Sequence, residues 1–159
     1  MTDREFLRHT VATLAYRGAK ALRGAPPTFA GFRPGPNSKT AVEVLAHMGD
    51  LLDWGLSMAS GAPKWNNSVP LPWEKECARF FAALAAFDGA LEDDVPLHYD
   101  LTRLFQGPVA DALTHTGQLA MMRRLSGAAM KGESYNRADI AIGRVGAEQT
   151  PADPRYEFD

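Results

Sequence analysis

Only one cysteine, Cys77, occurs among 159 residues, which leaves no internal disulfide framework and no Cys-rich zinc site. Basic runs are equally scarce: none is longer than Arg123-Arg124, and the formal net charge is −2. A nucleic-acid surface, which gains affinity by displacing counterions from a basic patch, is therefore not expected. No apolar stretch approaches the roughly 18 residues of a membrane-crossing helix. The opening MTDREFLRHT lacks the apolar core of a signal peptide. Internal repeats, phosphate-binding glycine loops and low-complexity segments are absent as well. What is present, 45% hydrophobic and 23% charged residues, is the balance of one soluble globular domain with a sizeable core. The expected location is cytoplasmic, with no nucleic-acid and no membrane partner.

Helical periodicity recurs four times, over about residues 3–22, 40–60, 72–91 and 108–127. The first stripe runs Phe6, Leu7, Val11, Leu14, Ala15, Gly18 and Leu22. The second starts at a capping box, Thr40-Ala-Val-Glu43, and continues through Val44, Leu45, Met48, Leu51, Leu52 and Leu56. The third follows Pro72, with Glu74 and Glu76 at its positive end and Trp73, Cys77, Phe80, Leu84 and Phe87 on its stripe. The fourth is GPVADALTHTGQLAMMRRLSG, opened by Gly107-Pro108 and closed by Gly127. These patterns predict an all-α fold, a four-helix bundle. Between the first two helices lies GAPPTFAGFRPGPN, too rich in Pro and Gly for a regular element. Its length fits a crossover that lets consecutive helices lie parallel, and Phe29, Phe32 and Arg33 make it a candidate pocket wall. The tail after Gly127 is irregular, with a short helix expected at 138–142 and Tyr156 and Phe158 as anchors.

The fourth helix carries the chemistry. At 100° per residue, Asp111, His115, Gln118, Leu119, Met122 and Ser126 share one face, so a carboxylate, an imidazole and an amide are stacked on the stripe expected to enter the core. Asp111 and His115, four residues apart, have Cβ atoms about 5–6 Å from each other and can converge on one ion. A third ligand must come from another helix, and His47, on the flank of the second stripe, is the candidate. Two imidazoles and a carboxylate suit Zn, Ni or Fe(II), whereas all-oxygen sets favour Mg or Ca. Three protein ligands leave positions open for water or substrate. Gln118 is then a partner that hydrogen-bonds a ligand from behind. The competing reading of the same residues is a buried Asp–His hydrogen bond with no metal.

The segments TAVEVLAHMGDLLDW and DALTHTGQLAMMRRLSG resemble the DinB-like superfamily of DinB/YfiT-type metalloenzymes. With the helix between them, the similarity covers most of residues 2–130. It implies a four-helix bundle in which His47 and His115 bind a divalent metal, with Asp111 standing where the family more often has the first His of an H-x-x-x-H pair. It further implies a thiol-dependent S-transferase or isomerase acting on a small-molecule substrate. In that reading the metal binds a low-molecular-weight thiol, Arg33 holds an acidic group, and the protein forms a homodimer. Two alternatives stay open: a metal-assisted hydrolase with Glu43, one turn before His47, as base, and a metal-free binding bundle.

Overall fold

The computed structural model describes residues 1–159. Its helices are α1 (Asp3–Leu22), α2 (Ala41–Ala59), α3 (Trp73–Ala90), α4 (Leu101–Leu104) and α5 (Ala110–Leu125). A five-residue π-helical turn, Phe105–Val109, joins α4 to α5. The only sheet is one antiparallel pair, β1 (Gly132–Glu133) and β2 (Glu157–Phe158). The expected all-helical class holds, and no helix is long and apolar enough to cross a membrane.

The caps explain the helix boundaries. The Thr40 hydroxyl accepts from Glu43 N while Glu43 reaches back to Thr40 N at 2.6 Å, and Thr2 with Glu5 does the same for α1. After α5 the chain turns at Gly127 with φ +81°, a conformation glycine adopts without steric cost. The fourth helix begins earlier than the sequence predicts. Asp100 caps it by accepting from Arg103 N, and Gly107-Pro108 lies inside the helical run. Pro108 has no N–H to give the ladder, and the wider π turn accommodates it.

Helices α1 and α2 lie on one diagonal of the bundle and α3 and α5 on the other, so each of α1 and α2 packs against both α3 and α5. Gly49 and Gly55 of α2 meet Arg79 and Phe87 of α3 in the same order, so α2 and α3 run parallel. Arg8 meets Asp88 and Gly18 meets Phe80, so α1 and α3 run antiparallel. The crossover between parallel helices is therefore the extended segment 60–72. The Pro- and Gly-rich loop after α1, whose length predicts a crossover between parallel helices, instead joins two antiparallel ones. It also contains a 3-10 turn, Pro27–Gly31, that buries Phe29 against Trp73 with ring centroids 5.4 Å apart.

One apolar cluster fills the bundle, with Val11, Leu14, Leu45, Met48, Phe80, Phe87 and Leu119 among its members. Phe6, expected on the first stripe, is exposed instead. Glu76, in the first turn of α3, is the converse case of a charged residue inside. It is fully buried and paired to Arg79 at 2.9 Å, and Arg79 also binds Asp50 and Asp53. The tail has no helix at 138–142; a 3-10 turn forms just before, at Tyr135–Arg137. Its end returns as β2, with the Phe158 ring laid over Gly132, where any Cβ would collide with the ring at 2.2 Å.

Candidate metal site

The face of α5 that enters the core is centred on Ala112, Thr116, Leu119 and Arg123. Asp111, His115 and Gln118 are therefore on its edge, not its centre as periodicity predicts. That edge faces α2, where His47 sits on the matching flank. The two helices run antiparallel, and the π turn brings Gly107 against Trp54: a Cβ on Gly107 would be 3.4 Å from the indole. Gly55 permits a similar approach to Pro108. The bulged entry to α5, a feature often found beside functional sites, thus sets how deeply Asp111 and His115 reach toward α2.

The structure brings the three residues together. One ligand atom from each of His47, Asp111 and His115 lies within 4.8 Å of the others. Asp111 Oδ2 is 3.6 Å from His47 Nε2, and Asp111 Oδ1 is 3.4 Å from His115 Nε2. The imidazole rings stand edge to face, 4.8 Å between centroids and 89° between planes. Donors bound to one tetrahedral ion at ordinary Zn–N and Zn–O lengths are separated by about 3.4 Å; the two Asp111–imidazole spacings are near this, each through its own carboxylate oxygen. The group could hold a metal ion. Side-chain exposure is 23% for His47, 15% for His115 and 47% for Asp111; the histidines are sheltered and the carboxylate is the open member.

Two features prepare the imidazoles. His115 Nδ1 is 2.7 Å from Gln118 Oε1. An amide oxygen can only accept, so Nδ1 is the donor in this contact, and Nε2 is the nitrogen turned toward Asp111. His47 has its pKa lowered, first by burial and next by the neighbouring His115, against the opposing pull of Asp111. A ligand must be neutral, and both effects favour that form.

The other sequence candidates have different partners. Glu43 accepts from Thr40 N and Thr40 Oγ1 and stands 3.6 Å from Arg33. These bonds hold its carboxyl below the usual range, with the Thr40 backbone bond foremost. It closes the helix cap. Arg33 is turned to Glu43 and does not line the cleft beside His115. That cleft, of about 400 Å³, is bounded by Val44, Met121, Met122, Leu125, Pro34 and Lys39. His98 sits against Gly61 at the far end of α2, outside the cluster. Cys77 is half-buried, and burial pushes its thiol up to about 11, the wrong direction for a nucleophile.

Three neighbours escape a reading of the sequence. Trp54 is seven residues beyond His47 and therefore on the same face, a signal periodicity does offer. Trp65 has none, because it belongs to the extended crossover. That segment climbs along α2, with Lys64 N donating to Ser57 Oγ and Ser68 N donating to Asp50 Oδ2. On the way it sets the Trp65 ring 5.7 Å from His47 and 5.8 Å from Trp54. Lys39, just before the cap of α2, is the basic group that lines the cleft. Comparison with protein-family models, curated proteins and solved structures finds no match to this chain.

Proposed function

We propose that this protein is a divalent-metal-dependent enzyme of the DinB-like kind, a thiol-using S-transferase or isomerase for a small-molecule substrate. The observation that carries the metal is the convergence of two imidazoles and a carboxylate, from two helices, within 4.8 Å. The donor set fits Zn, Ni or Fe(II). Asp111 is 3.4 and 3.6 Å from the two imidazole nitrogens, too long for good hydrogen bonds, which favours a bridging cation over a plain Asp–His contact.

A divalent cation here supplies Lewis acidity, lowering the pKa of a coordinated water or thiol. The protein's own residues do the rest. His47 and His115 offer neutral nitrogens, Asp111 offsets one positive charge, and Gln118 fixes the tautomer of His115. Trp65 and Trp54 shield one side from water. On the other side, the cleft with its two methionines is open to an apolar electrophile, and Lys39 can meet an acidic group on the thiol. The thiol itself is inherited from the family resemblance. It is favoured over hydrolysis because Glu43, the only base the sequence offers, is bound into its helix cap.

Metal content of protein purified without a histidine tag or chelator tests this reading, with His115→Ala as the comparison. Close to one Zn, Ni or Fe per chain, lost in the variant, is expected. Screening the loaded protein with low-molecular-weight thiols and electrophiles should then show turnover that requires the thiol. A wild-type protein that takes up no metal on reconstitution would overturn the proposal.

A further inference from the structure

On the other flank of α5, facing α1, lies a second cavity of about 390 Å³, closed by the C-terminal tail. Its wall includes Arg123, which is only 4% exposed. A guanidinium has five N–H donors, and three are used here. Nε donates to Ala128 O at 2.6 Å, and Nη1 donates to Ala21 O at 2.8 Å and Arg23 O at 3.0 Å. The two N–H groups of Nη2 have no hydrogen-bond partner in the protein, and the guanidinium's other contact is the Phe29 ring, 5.8 Å from its carbon to the centroid. Nor is Nη2 sealed off: it is not among the side-chain atoms that are both fully enclosed and without a hydrogen bond.

No carboxylate compensates this cation. All three acceptors are neutral carbonyls, and Arg123 forms no ion pair, although the carbonyl end of α1 offsets part of its charge. Burial alone lowers its pKa. A buried charge without a counter-ion is costly. Around it, the cavity carries Lys20, Arg23 and Lys131 in addition to Arg123, against two carboxylates, Glu133 and Glu157. Both carboxylates are taken up by Lys20, at 2.8 and 2.7 Å, and Glu133 also accepts from the Tyr16 hydroxyl at 2.7 Å. Four cations against two carboxylates leave the wall a net positive charge of two.

We infer that this cavity is an anion site, in which the phosphate or carboxylate oxygens of a small molecule accept from Arg123 Nη2, with Arg23 and Lys131 at the rim. Gln149 and Thr150 of the tail complete the wall, so the occupant bridges the bundle and the tail. The site is separate from the metal cluster: Arg123 is eight residues beyond His115 and on the α1 side of the same helix.

Calorimetric titration with inorganic phosphate, and separately with acetate, at ionic strength fixed by sodium chloride, tests the inference. Saturable binding of at least one is expected, and which one binds identifies the anionic group. Lys131→Ala, a change to an exposed side chain, should weaken it by about two- to fivefold. Arg123→Lys should weaken it about tenfold or more, because an ammonium cannot serve the carbonyls and the anion together. Glu157→Gln, which removes a negative charge from the wall, should tighten it. His115→Ala should leave it unchanged. Failure of both anions to bind, or equal affinity in wild type, Lys131→Ala and Arg123→Lys, would overturn the assignment. Because Lys131 is exposed, the test stands even if Arg123→Lys does not fold.

Discussion

Gln118 Oε1 lies 2.7 Å from His115 Nδ1, one helical turn along α5. The contact makes Nδ1 a donor and orients the ring so that Nε2 faces Asp111. Replacing Gln118 with Leu keeps the bulk and deletes the acceptor. His115 is then free to take either tautomer or to rotate. Metal affinity should drop by about 10- to 100-fold, measured by competition with a chromogenic chelator, while the unfolding midpoint of the metal-free protein barely moves because Gln118 is exposed. Unchanged affinity would make the contact incidental.

The same cluster ties stability to pH in the metal-free protein. Folding lowers the His47 pKa, so below the ordinary histidine value of about 6.5 the unfolded chain binds the proton more readily than the native one. Stability is then full above that value and falls as the pH drops through it. Urea midpoints for the wild type should decrease between about pH 7.5 and 5.5, and His47→Gln should flatten part of that decrease. Asp111 opposes the shift, so Asp111→Asn should lower the His47 pKa further, read by NMR titration of the ring protons.

Much of this site was legible because a helix repeats. Asp111 and His115 at a four-residue step, and His47 on the flank of its own stripe, follow from 3.6 residues per turn. The Thr40–Glu43 cap likewise announced the start of α2. What periodicity could not supply was the phase of α5. Its apolar residues do not mark one face, and the buried side proves to be that of Ala112, Thr116 and Leu119, with polar Thr116 and Arg123 buried as well. Nor could it reveal the route of an extended segment. Residues 60–72 contain no repeating pattern, and only their hydrogen bonds to Ser57 and Asp50 show that they run along α2. Glu76 does lie in the first turn of α3, as the sequence predicts, but its burial beside Arg79 is a tertiary contact that periodicity does not show.

Trp65, delivered by that crossover, is 41% exposed and packs against His47 with ring centroids 5.7 Å apart. It supplies no ligand atom, so Trp65→Ala should retain one metal per chain. Removing the ring opens the cluster to water and chelator, and metal loss to excess chelator should be about tenfold faster. A stopped-flow chelation time course measures this. An unchanged rate would show that the indole does not control access.

Arg79 holds α2, α3 and the crossover together through Asp50, Asp53, Glu76 and the Ser68 hydroxyl. Glu76 is fully buried and Asp50 nearly so, which means that removing the guanidinium strands two carboxylates in a place where ionisation is costly. Arg79→Met preserves much of the side-chain volume and should still cost about 3–5 kcal/mol of unfolding free energy. The loss should shrink in the double variant with Glu76→Gln, because one of the stranded charges is then gone. The segment carrying Trp65 is anchored at Ser68, so the same variant should also loosen the wall beside His47 and raise the chelation rate toward that of Trp65→Ala. A stability loss without that kinetic effect would separate the buried ion network from the metal site.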